Sequence, residues 1–284
     1  MTFLLHVITI TCTSVPHILG FNIVLGKGKI LHFGPLGTSI VAAYVTFLTT
    51  IHFSSYTIGI LCGLVAVVLV STLYAWVSFR MEPDGFGVMS IAMHLSFMAV
   101  VLNWSSVTRG ALGIPRIPRF PFLNTTADFA IATLIVAVVW VVLLLLLERS
   151  SFGRKLTALS EQEWQANALG ISRYAVHWFA FLIAGIGALI MNVLYHQYIF
   201  LVYPSDFAFS YLIFMVMVVV AGKPGSTLGC TVSVILLTFL REGIRFLPLE
   251  ASVLGPLRLI FFGSILLAVV YWRRDVLFPK PRSI

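Results

Sequence analysis

Long apolar runs without charged residues constrain the fold of this chain more than any other feature of its sequence. Seven runs are long enough to cross a bilayer, whose ~30 Å hydrocarbon core needs about 20 residues of α-helix. They lie at 2–25, 31–53, 56–79, 86–104, 127–147, 174–197 and 254–272, and two shorter runs lie at 205–221 and 226–241. We therefore predict an all-α polytopic membrane protein with about nine transmembrane helices, built as a single domain over 1–284.

The composition excludes several classes of protein. Hydrophobic residues make up 60% of the chain and charged residues 10%, whereas soluble domains carry about 25% charged residues. This difference excludes a cytosolic enzyme, a secreted disulfide-bonded scaffold and a disordered regulator. The apolar runs are continuous rather than alternating, which also excludes an outer-membrane β-barrel.

Basic residues predict the orientation of the chain in the membrane. Twelve Lys and Arg lie in one set of loops, which includes 148–173, and five lie in the other set, which includes 105–126. Loops rich in Lys and Arg stay in the cytoplasm. We therefore predict that the N-terminus lies outside and the C-terminus inside. The same rule accounts for the net charge of +8 without any binding of nucleic acid.

The positions of the carboxylates argue against a carrier that couples to ions by itself. All ten Asp and Glu lie in loops or at the ends of runs, whereas proton pumps and many ion-coupled carriers need carboxylates inside the membrane. The histidines and cysteines show no metal-ligand spacing, and Gly222–Thr227 lacks the spacing of a phosphate-binding loop. We therefore predict no metal, no cofactor and no enzymatic activity in this chain, and any energy for transport must enter through other subunits.

The longest charged loop, 148–173, contains the pattern of a short helix. Ser160 and Glu163 have the spacing of a capping box, which predicts a helix from Gln162 to Leu169. Gly170 follows as a left-handed stop, and Trp164 shares one face with Ala168. Two interpretations stay open. The helix lies on the bilayer with Trp164 among the headgroups, or it is a coupling helix that docks into a partner protein.

Motifs distributed along most of the chain carry a family resemblance. They are Leu19–Asn22 with Gly26, Gly28, Gly34 and Gly37; Asn103-Trp104 and Gly113–Pro115; Gly153-Arg154, Glu163 and Ala168–Ile171; Gly222 with Gly225-Ser226 and Gly229; and Arg258–Ile260 with Gly263. Together they resemble the permeases of ATP-binding cassette (ABC) importers for branched-chain amino acids, of the second of the two permease types in that system.

The resemblance implies a permease subunit of an ATP-driven importer for branched-chain or related neutral amino acids, in the bacterial cytoplasmic (inner) membrane. The partners that it implies are a second permease subunit in a heterodimer or homodimer, two ATPase subunits that bind ATP-Mg, an external solute-binding protein, and membrane lipid. The alternatives are an ABC permease for urea or short amides, an ion-coupled carrier that acts without an ATPase, and a membrane scaffold that transports nothing.

Two groups of candidate functional residues follow. The coupling group, through which the loop would contact an ATPase, consists of Glu161, Glu163, Trp164, Ala168 and Gly170. The pathway group is predicted because interrupted helices and polar groups inside the membrane often mark a substrate route. It consists of Asn22, Gly34, Gly37, Ser90, His94 and Asn103. His94 and Asn103 do not share a helix face, and a structural hydrogen bond between helices is the favoured interpretation of His94 over a ligand-binding role.

Overall fold

The computed structural model describes residues 2–243 together with 260, 263–265, 267, 268 and 271. In these residues the chain is α-helical apart from its loops and one short two-stranded ribbon. The helices are α1 (Thr2–Phe21), α2 (Pro35–Phe53), α3 (Tyr56–Arg80), α4 (Pro83–Asn103), α5 (Ser105–Thr108), α6 (Thr126–Arg149), α7 (Ser151–Glu161), α8 (Glu163–Ala168), α9 (Arg173–Ile199), α10 (Phe209–Ala221) and α11 (Thr227–Gly243). The all-α prediction is confirmed.

Within the described residues, six helices are long and apolar enough to cross a membrane. They are Phe3–Lys27, Pro35–Phe53, Tyr56–Arg80, Pro83–Asn103, Thr126–Arg149 and Arg173–Ile199. The shorter helix α10 has 13 residues, which at 1.5 Å per residue fall short of the ~30 Å hydrocarbon core. Helix α11 is described over 17 residues, up to the last described residue of that stretch. The run predicted at 254–272 lies largely outside the described residues.

The first two membrane helices are joined by buried backbone that is not helical. A π-helix, Asn22–Lys27, extends α1, and the chain then runs irregularly to α2, which begins at Pro35. The prediction of a helix from residue 31 is therefore wrong. Proline favours the first helical position and disfavours helical backbone in the residue before it. The irregular segment is covered by protein, since His32 packs between the rings of Tyr74 and Phe181.

Helix α1 forms the centre of the bundle. It is buried over most of its length and contacts α6, α9, α10 and α11, and α9 in turn packs against α2 and α3. Small residues permit the closest of these approaches. A Cβ added to Gly20 would lie 2.9 Å from the Cα of Ala184 on α9, so α1 and α9 meet backbone to backbone.

The segment between α5 and α6 is held against the end of α9. Ile114–Pro115 (β1) pairs antiparallel with Leu201–Val202 (β2). The guanidinium of Arg119 donates to the carbonyl oxygens of Gln197 (3.1 Å) and Tyr198 (3.0 Å) and lies 3.6 Å from the centre of the Phe200 ring. This segment, together with the C-terminal end of α9, is called the ribbon end of the bundle below. The end that carries α7 and α8 is called the loop end.

Candidate functional site

The charged loop contains two helices rather than the single predicted one. Residue Ser160 lies inside α7, where its hydroxyl donates to the carbonyl of Thr157 (2.9 Å). The predicted capping box is therefore wrong, and Gln162 occupies the N-cap of α8 without a side-chain cap. The physical reason is that α7 continues through Ser160 with its apolar face, including Leu156 and Leu159, buried in the core. Burial of that face outweighs a local cap of about 1 kcal/mol.

The predicted stop at Gly170 is confirmed. Gly170 has a φ of +78°, in the left-handed region. The backbone N–H of Gly170 donates to Asn167 (2.9 Å) and that of Ile171 donates to Ala166 (3.1 Å). These two bonds form a Schellman motif. They fix the direction in which the chain leaves α8 and enters α9.

The coupling group lies on the outer surface of the loop end. The side chain of Trp164 is 84% exposed and that of Leu169 is 81% exposed, while Glu161 and Ala168 are also exposed. On the opposite side of α8, Ala166 is buried against the core. The short helix is thus fixed to the permease by one face and presents a tryptophan and a leucine on the other.

Arg173 connects α8 to the membrane helices. One guanidinium nitrogen pairs with the Glu163 carboxylate (3.0 Å), and a second donates to the backbone carbonyl of Ser78 at the end of α3 (3.0 Å). The Ser78 hydroxyl in turn hydrogen-bonds His177 on α9 (3.0 Å). These residues line a cavity of about 290 Å³ at the loop end. Glu163 therefore forms an ion pair within the permease itself, and the sequence pattern did not predict this contact.

Four of the six predicted pathway residues come together where the start of α2 meets α3 and α4. The Tyr74 hydroxyl donates to the carbonyl of Gly34 (2.9 Å), and a Cβ added to Gly37 would lie 2.5 Å from that hydroxyl and 3.2 Å from the Cα of His94. Ser90 accepts a hydrogen bond from the N–H of Phe33 (2.9 Å). All of these residues are buried, so the region is closed in this conformation.

The other two pathway residues lie elsewhere. Asn22 begins the π-helix, and its side-chain oxygen accepts the N–H of Gly225 (2.9 Å) in the turn between α10 and α11. Asn103 is exposed at the end of α4, where it donates to its own helix at Ala99. His94 is buried on α4, and its Nδ1 atom has no hydrogen-bond partner among the described residues.

Sequence reasoning missed two features of this site. Helix α7 carries Phe152, Leu156 and Leu159 at helical spacing, a pattern that would have predicted it. Tyr74 lies in an apolar run where no pattern distinguishes a tyrosine that bonds another helix from one that does not. Among the described residues, no three His, Cys, Asp or Glu side chains are grouped to hold a metal ion.

Comparison with known proteins gives the family. The sequence family described as the permease component of the branched-chain amino acid transport system matches residues 3–270. This chain belongs to that family. Two relatives are the high-affinity branched-chain amino acid transport system permease proteins LivM of Salmonella typhimurium and Escherichia coli. Each is 27% identical to this permease, and the match covers 93% of this chain and 67% of the relative.

No solved structure matches this permease. Family membership and the apolar helices together make it a multi-pass protein of the bacterial cytoplasmic membrane. The resemblance seen in the motifs is confirmed, and so is the role of a transport permease component.

Proposed function

We propose that the chain is a single permease domain of an ABC importer for branched-chain or related neutral amino acids. It works with a second permease subunit, two ATPase subunits that bind ATP-Mg, and an extracytoplasmic solute-binding protein. The permease provides part of the membrane pathway and one docking helix, and the ATPases carry out the hydrolysis. The family match over residues 3–270 supports the transported class.

The exposed surface of α8 is the single observation that carries the ATP-driven part of the proposal. A tryptophan and a leucine on a short helix bury large apolar area when a partner covers them, and aromatic anchors dominate the energy of such contacts. Ala166 and the Glu163–Arg173 pair attach the same helix to α3 and α9. A force applied to α8 by an ATPase would therefore reach the membrane helices.

Reconstitution of the complete importer tests this function. Proteoliposomes that contain both permease subunits and the ATPases should accumulate leucine when ATP-Mg is enclosed and the solute-binding protein is outside. Accumulation that continues without the ATPases would indicate an ion-coupled carrier. Accumulation of urea but not of leucine would indicate a permease for amides.

The orientation of the permease is a testable part of the proposal. We expect 105–126 on the extracytoplasmic side and 148–173 in the cytoplasm, because Lys and Arg concentrate in the second set of loops. Ser106→Cys and Ser151→Cys lie at exposed positions in these two segments. In intact cells an impermeant maleimide should label the first and not the second. Labelling of both variants from one side would contradict the predicted topology.

The charge of the substrate is a second testable part. The six membrane helices are apolar, and the charged residues within the ranges of these helices lie at or near their ends. A solute with net charge would cross that region without compensation, which costs several kcal/mol. Unlabelled leucine, isoleucine or valine should therefore inhibit leucine uptake by the complete importer far more strongly than lysine or glutamate. Stronger inhibition by lysine or glutamate would contradict this prediction.

A further inference from the structure

A second cavity lies at the ribbon end of the bundle, and none of the predicted pathway residues lines it. It has a volume of about 320 Å³, is partly open, and is lined by residues of α1, α9, α10, the end of α11 and the short 3₁₀-helix Pro204–Phe207. This volume is at the lower limit of the ~300–1,000 Å³ that small-molecule sites usually have. A metabolite of the size of an amino acid fits such a volume.

Charges of both signs line this cavity. Arg241 and Glu242 enter from α11, with 3.6 Å between the Arg241 Nε and a Glu242 carboxylate oxygen, and Asp206 enters from the 3₁₀-helix. The Arg241 guanidinium lies over the Phe214 ring, 4.8 Å from its centre. Arg241 is thereby held at the cavity wall by an aromatic face and a carboxylate.

One of the two oxygens of the Asp206 carboxylate has no hydrogen-bond partner among the described residues. This atom, Oδ2, is buried. The nearest ring nitrogen, Nδ1 of His196, is 4.0 Å away and hydrogen-bonds the carbonyl of Leu201 (2.9 Å) instead. The buried Tyr211 hydroxyl also lacks a hydrogen-bond partner within the described part of the chain. Burial raises the pKa of the Asp206 carboxyl to about 6.

The rest of the wall combines the polar side chains of Ser14, Tyr195, Ser205 and Tyr211 with two aliphatic ones. The aliphatic ones are Ile10 from α1 and Met191 from α9. An α-amino acid presents the matching chemistry: a carboxylate for a guanidinium, an ammonium for a carboxylate, and an aliphatic side chain for the aliphatic part of the wall. A buried carboxylate oxygen without a hydrogen-bond donor is costly, so a ligand that donates to the Asp206 Oδ2 atom gains affinity.

We propose that this cavity is an amino-acid site in the permease itself, in which Arg241 binds the α-carboxylate and Asp206 binds the α-ammonium group of the solute. This inference rests on the proposed function, because it assigns a binding site to the class of solute that the permease is proposed to transport. The ribbon end is the predicted extracytoplasmic end, so this is the site that an arriving solute reaches first.

Protection of an introduced thiol tests the site. Ser205 lines the cavity and is exposed, so Ser205→Cys is made in a chain whose Cys12, Cys62 and Cys230 are replaced by alanine. The complete importer, reconstituted without the solute-binding protein, is alkylated with and without leucine. Leucine should slow the reaction of the introduced thiol. Leucinamide lacks the carboxylate and 4-methylpentanoate lacks the ammonium, so each should need at least about tenfold higher concentration for the same protection.

Matched controls separate occupancy of the site from general effects. Ser106→Cys, outside the cavity, should react at the same rate with and without leucine. Asp206→Asn should abolish protection, whereas Asp84→Asn, an exposed aspartate at the loop end of α4, should retain it. Should the cysteine variant fail to fold, leucine should still raise the thermal unfolding midpoint of the unsubstituted importer and not that of its Asp206→Asn form.

Two outcomes would overturn the proposal: equal reaction rates with and without leucine, and protection by leucinamide and 4-methylpentanoate as strong as that by leucine. Leucine uptake by the complete importer, measured in parallel with the solute-binding protein, distinguishes the two proposals. Uptake without protection would remove this site and leave the proposed function in place. Protection without uptake would contradict the proposed function and leave the site.

Discussion

Replacement of Trp164 by alanine should detach the ATPase subunits from the permease while leaving the permease folded in the membrane. The side chain is 84% exposed on α8 and contributes little to the core, so its loss should not destabilise the fold. A central aromatic anchor contributes about 2 kcal/mol or more to a protein interface, which corresponds to an affinity about 30-fold weaker. Co-purification of the ATPases with the tagged permease measures this effect.

A control variant, and the different result expected if α8 lies on the bilayer, make this experiment decisive. Leu112→Ala removes a large apolar side chain that is 74% exposed at the ribbon end, in the segment between α5 and α6, and should leave recovery of the ATPases unchanged. If α8 lies on the bilayer instead, Trp164→Ala should weaken contact of the loop with lipid and leave ATPase binding intact. Full recovery of the ATPases together with normal uptake would contradict the coupling assignment.

Gly229→Ala should prevent the permease from reaching its native packing at the turn between α10 and α11. A Cβ added to Gly229 would overlap the carbonyl oxygen of Gly222, and one added to Gly222 would lie 2.5 Å from the Cα of Cys230. The obstacles are backbone atoms, so the two helices would have to separate. Overpacking of a close contact costs about 1–3 kcal/mol or more. We expect a clearly lower thermal unfolding midpoint in detergent.

The same helix offers the matched control for this prediction. Gly243, the last residue of α11, has nothing described within 4 Å of an added Cβ. Gly243→Ala should therefore leave the unfolding midpoint unchanged or raise it slightly, since alanine is the better helix former. Equal behaviour of the two variants would show that α10 and α11 do not pack as the structure describes.

The apolar runs were sufficient to predict the main helices. The α-helix satisfies every backbone hydrogen bond of a continuous apolar run in lipid. For this reason the observed helices α1, α3, α4, α6 and α9 agree with the prediction to within a few residues. The start of α2 differed because hydropathy does not distinguish an apolar helix from apolar irregular backbone that is covered by protein. Pro35 was the available signal for that boundary.

The features of the candidate site that depend on neighbouring residues in the sequence were predictable. Gly170 needs a left-handed backbone and has one, and Trp164 is exposed on α8. The Ser160 cap failed because tertiary burial of Leu156 and Leu159 extended α7 through it. Contacts between distant segments, such as Asn22 with Gly225, depend on packing that no sequence pattern encodes.

The length of α9 connects the Arg173 contacts at its first residue to the opposite end of the bundle. Arg173 is the first residue of a 27-residue helix, which is a stiff rod about 40 Å long. Its base is held by Glu163 of α8, and near its far end Met191 and Tyr195 line the amino-acid cavity. Under the proposed function, a small tilt imposed at the base would become a displacement of several ångströms at the far end. One lever arm would then join ATPase-driven motion at the loop end to the shape of the proposed solute pocket at the ribbon end.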